Sequence, residues 1–276
     1  MKKVCIYIMA VASVAFAGCD PIEDRQSMTG GITADQLNIS ATPEIRDGVN
    51  SNYVLLQSDG NATLSSWDYG SGTLVGTQGT VQLLLTGDNE IIFTGLNADG
   101  TKITKTITVR VDRLYDVADE WGYLCGSGEK VWTWDTQASS VWGNGGYLGN
   151  SSPGWWTVQV GDMNGQAAGE GAGAEMVFKL KGAALVKNRN NSTSEQGTFT
   201  FDMSKTTLDD GGNVWAIGKL NTRNVTVLAG KQPNNGDAPV YEYDILKLTD
   251  EEMALSFPEP GAGAWGTAWF WMFRAK

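Results

Sequence analysis

TAWFWMFRA, residues 267–275, sets Trp269, Trp271 and Phe273 on one side of an extended chain and Ala268, Phe270 and Met272 on the other. Successive side chains of a strand point to opposite faces, so this segment is apolar on both. One face predicts a core. The second must also be covered, by packed loops or by the walls of a ligand groove. Two further segments sort their aromatics by the same period. In GTFTFDM (197–203), Phe199, Phe201 and Met203 oppose Thr198, Thr200 and Asp202. In GWWTVQV (154–160), Trp156, Val158 and Val160 align as core, which leaves Trp155 with Thr157 and Gln159 on the exposed side.

The same signal extends over the second half of the chain. EKVWTWD, AEMVFKLKG, NVWAIGKL, RNVTVLA, VYEYDILKL and MALSF are β-branched or aromatic and alternate, with Gly, Asn and Asp turns between them. No long stretch has helical periodicity. Residues 120–276 are therefore expected to form an antiparallel β-sandwich or jelly roll of eight or nine strands, with a closed barrel as the alternative. YEYDILKLTDEEMALSF resembles the late strands of lipocalin-like domains, which is what the barrel alternative implies.

Between these strands lies SSVWGNGGYLGNSSPGWW (139–156), with three tryptophans and a tyrosine in a run of Gly, Asn, Ser and Pro. Large aromatics belong in cores, whereas Gly, Asn, Ser and Pro mark surface turns. A sugar ring resolves the conflict. It offers a flat face of C–H groups and a rim of hydroxyls, so its receptor needs aromatic platforms beside short amides and carboxylates. Trp142, Asn144, Tyr147, Asn150 and Trp155 would form such a ligand-binding surface. Trp134 and Asp135, with neighbouring Trp132, and Trp265 in PGAGAWG are its extensions. Trp132 and Trp134 fit a core equally well, and Trp215, Trp269 and Trp271 are read as structural.

The first half reads as a smaller β domain. EIIFTGL and TKITKTITVRV flank the turn cluster Asn97-Ala98-Asp99-Gly100, which predicts a hairpin. Its second arm has Ile103, Ile107, Val109 and Val111 on one face and Thr104, Thr106, Thr108 and Arg110 on the other. With LNISA, YVLLQ, SSWDYG and TVQLLLT, six or seven short strands are expected, as in a sandwich. Trp67-Asp68-Tyr69-Gly70-Ser71-Gly72, followed by a hairpin ending in KTITVRV, resembles a PKD domain, an Ig-like fold marked by a W-D-F-G-D-G segment. Tyr69 and Ser71 depart from that pattern. The resemblance covers residues 35–113 and implies a spacer with Trp67 in its core and no ligand site. Ten of the eleven tryptophans fall at or after Trp121, which puts the domain boundary near 113–120.

Residues 1–18 have the layout of a secretory signal: basic Lys2 and Lys3, an apolar run from Val4 to Phe16, then Ala17 and Gly18 before Cys19. The run is shorter than the roughly 20 residues that span a bilayer. FAGC resembles a bacterial lipobox, which implies lipidation of Cys19. Asp20, Glu23 and Asp24 begin an acidic tether (19–34) similar to the export signal of Bacteroidota surface lipoproteins. Cys5 would leave with the signal and Cys19 would carry lipid, so Cys125 has no partner and is expected to be a small buried residue.

Composition removes whole classes of chemistry. The chain has no histidine, so Ser-His-Asp and Cys-His catalysis and His-ligated zinc are excluded. With 31 acidic against 20 basic residues and a net charge of −11, the surface repels phosphate backbones, and nucleic acid is not an expected partner. Carboxylate chemistry remains. Glu242 and Asp244 share a strand face about 7 Å apart, within the range of glycosidase pairs. The spacing resembles the E-x-D-x-x-E strand of jelly-roll glycosidases that cut β-glucans, but Lys247 replaces the third acid, and a solvated strand face is the better explanation of the pair. No cofactor is expected beyond a structural calcium at Asp209–Asn213 or Asp162–Gly165, both of which also read as polar turns.

A lipid-anchored, acidic, two-domain β protein with a PKD-like spacer and a Trp-rich distal domain resembles the surface glycan-binding lipoproteins of Bacteroidota polysaccharide-utilisation systems. The resemblance implies an outer-membrane, cell-surface protein that holds a polysaccharide or oligosaccharide without cleaving it, beside an outer-membrane glycan importer. The alternatives are a carboxylate-dependent glycoside hydrolase of jelly-roll type and an adhesive or structural surface protein.

Overall fold

A computed structural model describes residues 31–59 and 64–276. The signal segment, Cys19 and the tether as far as residue 30 lie outside the described residues. The first domain has two antiparallel sheets. β1 (Ile39–Arg46), β2 (Val49–Ser58) and β5 (Gln78–Gln82) form one in the order β1-β2-β5. β3 (Leu64–Asp68), β4 (Thr73–Val75), β6 (Gly87–Leu96) and β7 (Lys102–Val111) form the other in the order β4-β3-β6-β7. The expected hairpin is β6–β7, paired without a break from Gly87↔Val111 to Leu96↔Lys102. Gly100 closes its turn at φ +85°, a conformation that costs glycine little. Val54, Leu56, Ile91, Phe93 and Val109 fill the space between the sheets with Trp67, which meets Phe93 edge-on at 4.7 Å and donates its indole N–H to Gly76 O at 3.0 Å.

Buried Asn52 ties this domain to the linker. Its amide donates to Leu83 O (2.9 Å) and Tyr115 O (3.1 Å), and its carbonyl accepts from Tyr115 N (2.8 Å). Beyond the linker, helix α1 (Asp119–Cys125) opens the second domain. It buries Leu124 and the free Cys125, whose thiol burial pushes up to about 12, far from a reactive thiolate.

The second domain is a closed barrel, the alternative expectation, and not the sandwich or jelly roll placed first. Its eight strands are β8 (Glu129–Trp134), β11 (Glu175–Lys179), β12 (Ala184–Asn188), β13 (Ser194–Asp202), β16 (Gly218–Arg223), β19 (Glu242–Leu248), β20 (Glu252–Pro258) and β21 (Thr267–Ala275). The physical reason for closure is β21, the segment TAWFWMFRA. One edge pairs with β20 along its length, from Glu252↔Arg274 to Pro258↔Ala268. The other edge is shared: Thr267–Trp271 pair with β9 (Trp142–Gly146), and Phe273–Ala275 pair with β8, which closes the ring. β10 (Trp156–Val158) adds to the free side of β9 and ends the sheet there.

An eight-stranded barrel has an interior about wide enough to be filled by side chains. Here Trp132, Trp134, Met176, Phe178, Leu185, Phe199, Leu220, Tyr243, Leu255, Trp269, Trp271 and Phe273 fill it. α1 packs over one end, where Trp121 meets Phe199 at 5.6 Å and Phe201 at 4.9 Å. At the other end the buried stretch Val225–Ala229 and the loop carrying Glu170 form a plug. The Glu170 carboxylate there accepts from Lys187 (3.0 Å), Arg189 (2.9 Å) and the backbone N–H of Ala229. The second apolar face of β21 is covered by packed loop: Phe270 is fully buried, and Gly145 and Asn150 lie over it.

Candidate functional site

The rim where β9 and β10 leave the barrel gathers the exposed aromatics. Trp265 is 60%, Trp155 54% and Trp156 40% exposed, while Tyr147 and Trp215 are half-buried between them and the barrel wall. Backbone geometry holds this group in place. Trp265 sits in the loop between β20 and β21 at φ +61°, a left-handed conformation that bulky residues seldom adopt and that costs about 1–3 kcal/mol. Two hydrogen bonds fix it there, from Trp265 N to Tyr147 O (2.8 Å) and from Tyr147 N to Gly266 O (2.7 Å). Its indole lies against the backbone of Gly146 and Gly149, where an added Cβ would come within 2.6 Å of ring atoms. The glycines of WGNGGYLGN thus make a flat bed for a tryptophan.

The two asparagines of that stretch brace the same rim. Asn150 Oδ1 accepts from Gly146 N at 2.7 Å, and Asn144 Oδ1 accepts from Trp156 N at 3.0 Å. Trp215, on the hairpin of β14 (Thr207–Leu208) and β15 (Val214–Ala216), donates its indole N–H to Asn150 O at 2.8 Å and meets Tyr147 edge-on at 5.1 Å. Of the expected site residues, Asn144, Tyr147, Asn150, Trp155 and Trp265 therefore come together at this rim.

Three expected site residues are elsewhere. Trp142 is fully buried: β9 pairs it with Trp271, and its ring stacks on Trp269 at 5.2 Å. Trp134 is buried in the barrel, stacked on Phe273 at 4.8 Å with its indole N–H on Glu170 O at 2.6 Å. Asp135 is buried against Arg274 at 2.9 Å and caps Gln137 N, so it serves the fold. Trp142 and Trp134 are drawn inward by the same neighbour: β9 looks like loop by composition but lies in the ladder beside β21, and β8 pairs with the end of β21 through Phe273↔Trp134, while Asp135 just beyond β8 is held by Arg274 of β21.

Trp156 is corrected in the opposite direction. It was expected in the core, and it does face the interior cluster, edge-on to Trp142 (5.5 Å) and Trp269 (5.9 Å). β10 is an edge strand three residues long, however, so nothing covers the outer side of the ring. Trp215, read as structural, also reaches the rim. Its signal was available in Val214-Trp215-Ala216, a short strand following a tight turn, which marks a protruding hairpin.

The carboxylate pair is divided. Glu242 is exposed, whereas Asp244 is fully buried beneath the β14–β15 hairpin, 2.9 Å from Lys219 Nζ and 3.4 Å from Thr207 Oγ1. Burial raises the Asp244 carboxyl above its ordinary range. Burial would lower the Lys219 ammonium, but the hydrogen bond and charge of Asp244 outweigh it and raise the group. The Tyr147 hydroxyl is raised by burial and then by the charge of Asp244. Asp244 Oδ2 and Ser256 Oγ, on paired strands, are buried without a hydrogen-bond partner among the described residues. An acid so enclosed cannot reach a glycosidic oxygen.

The two acidic loops close on themselves. Asp209 Oδ1 accepts from Gly211 N and Asn213 N, each at 2.8 Å, in the turn joining β14 to β15. Asp162 leads into the short helix α2 (Met163–Gln166), where Asn164 Oδ1 accepts from Gly171 N at 3.0 Å. Among the described residues no group of three or more His, Cys, Asp and Glu side chains is placed to hold a metal ion. A cleft of about 780 Å³ between the domains is lined by Leu84, Leu85, Leu114, Trp121, Tyr123 and Leu180. Two acids on its walls are engaged, Asp116 with Arg46 and Asp250 with Lys130, as expected of a domain joint. Comparison with family models and with curated proteins finds no match to this chain.

Proposed function

We propose that this protein is a cell-surface lipoprotein, anchored in the outer membrane through Cys19, that captures polysaccharide or oligosaccharide without cleaving it and passes it to an outer-membrane importer. The observation that carries the reading is the rim of Trp155, Trp156 and Trp265, all exposed, with Trp156 packed edge-on against Trp142 and Trp269 and Trp265 seated on its glycine bed. An exposed indole is poorly hydrated, and the Trp265 conformation costs stability, so the fold retains both at the expense of its own energetics. Flat rings fixed beside short amides suit the C–H face of a sugar, each stack contributing about 1–3 kcal/mol by analogy with nucleobases. The burial of Asp244 supports binding over hydrolysis. The seven-stranded, two-sheet first domain with Trp67 in its core supports the PKD-like, Ig-like reading of residues 35–113 as a spacer.

The test is titration of plant, host and fungal polysaccharides into residues 20–276, followed by tryptophan fluorescence and calorimetry. Saturable binding that weakens at least about tenfold in Trp265→Ala and in Trp155→Ala is the expected result. A panel with no ligand, or a ligand indifferent to both substitutions, overturns the proposal.

A further inference from the structure

The hydrogen bonding of the rim amides narrows the ligand, on the assumption that the rim binds glycan. A backbone N–H can bond only to the oxygen of a side-chain amide, so the contacts from Gly146 N and Trp156 N fix which way Asn150 and Asn144 point. Both carbonyl oxygens are consumed inside the fold. Both Nδ2 groups are left without a partner among the described residues, as are the indole N–H groups of Trp155, Trp156 and Trp265. The amides and indoles bracketing the rim thus offer only donors, beside the Tyr147 hydroxyl, which can do both. A plain hydroxyl is donor and acceptor at once, and the two amides meet only half of it. A carboxylate would accept from these donors, but the neighbouring lysines are already paired, Lys219 with Asp244 and Lys231 with Asp237, each at 2.9 Å, and the chain carries a net charge of −11. An acetyl group fits: it is planar and uncharged, it accepts through its carbonyl without donating, and it has a methyl to lay on an indole.

We infer that the rim recognises an uncharged glycan bearing N-acetyl or O-acetyl groups, with Asn144 and Asn150 donating to the acetyl carbonyl and Trp155 or Trp265 packing on the sugar face or the methyl. Asn144 and Asn150 determine specificity through Nδ2, while their Oδ1 atoms keep the loop closed.

Asparagine to aspartate separates these two roles. Asn144→Asp and Asn150→Asp keep an acceptor for the backbone N–H but replace the free donor with a second acceptor. Residues 20–276 and both variants are titrated with four probes: N-acetylated chitooligosaccharide, its de-N-acetylated form, acetylated xylan and the same xylan after alkaline deacetylation. Polygalacturonate serves as the anionic control. One acetylated probe is expected to bind, its deacetylated partner to bind at least about tenfold more weakly, and each Asn→Asp variant to lose a similar factor with its unfolding midpoint little changed. Equal binding of an acetylated and deacetylated pair, tighter salt-sensitive binding of polygalacturonate, or unchanged affinity in both variants overturns this inference and leaves glycan binding standing. No binding to any probe here or in the wider panel overturns both. If an aspartate variant unfolds, Asn→Ser at the same position retains an acceptor for the backbone, and loss of acetyl discrimination in that variant decides the question.

Discussion

Three tryptophans inside the barrel and three at its rim differ in their hydrogen bonding. Inside the barrel each indole N–H of Trp132, Trp134 and Trp271 donates to a buried carbonyl, respectively of Leu124, Glu170 and Ala229. At the rim Trp155, Trp156 and Trp265 are exposed, and their N–H groups have no partner among the described residues. The interior tryptophans are tied into the plug and α1 by their polar atoms as well as their rings. At the rim Trp265 rests one side of its ring on Gly146 and Gly149 and Trp156 leans edge-on against Trp142 and Trp269, which leaves their other ring surfaces and their N–H groups without a partner among the described residues. The contrast holds for these six and is not a rule for the whole domain: buried Trp142 has no partner for its indole N–H among the described residues, and Trp215 at the rim donates its own to Asn150 O at 2.8 Å.

That contrast can be broken by measurement. The largest effect is expected in the interior: Trp271→Ala should destabilise the domain by about 3–5 kcal/mol in denaturant unfolding, whereas Trp265→Ala should change stability by under about 1 kcal/mol. Similar losses in the two variants would mean that the rim is structural. Next comes the plug. Lys187→Met leaves Glu170 buried with one fewer partner, and a loss of about 3 kcal/mol is expected, with little direct effect at the rim. A smaller effect sharpens the role of the bed. Gly149→Ala would put a methyl 2.6 Å from the Trp265 ring, and the displaced indole should weaken glycan binding about tenfold and shift its emission, at modest cost in stability.

The smallest effects concern pH, and two carboxylates should act with opposite sign. Glu195 is pushed up by burial, but Arg189 and Lys187 outweigh this and hold its carboxyl below 4.5, so the stability it supplies is present above that value and lost as pH falls. Asp244 is raised above 3.8 by burial, so its contribution is present below that value and lost as pH rises through its folded value. Glu195→Gln should flatten the acid limb of a stability-versus-pH curve, and Asp244→Asn should steepen it. Parallel changes in the two variants would contradict the assigned environments.

Much of this was legible in order of locality. The β6–β7 hairpin and its buried face follow from a period-two pattern around a turn cluster, whereas Trp67 is expected in the core only through the PKD resemblance of its segment. Trp155 reads as exposed because its strand mates are Thr157 and Gln159. Trp142 does not read correctly, because its burial depends on β9 lying beside β21, a pairing between segments about 125 residues apart. Trp156 faces as alternation predicts, but its exposure depends on the sheet ending at β10. Asp244 and Glu242 look alike in a strand, and only the β14–β15 hairpin folded over one of them makes it inaccessible.

The all-β class, the alternation of strand faces, the absence of histidine chemistry and the acidic charge are written in the sequence, because they depend on composition or on neighbours a few residues apart. Tertiary structure alone decided that the sheet closes into a barrel, which tryptophans fill it and which stand on its rim. Closure requires β21 to share one edge between β8 and β9, and hydrogen-bond registers between distant segments leave no local trace. The site depends on the same long-range geometry, since Trp265 reaches its glycine bed only after the two ends of the domain have met.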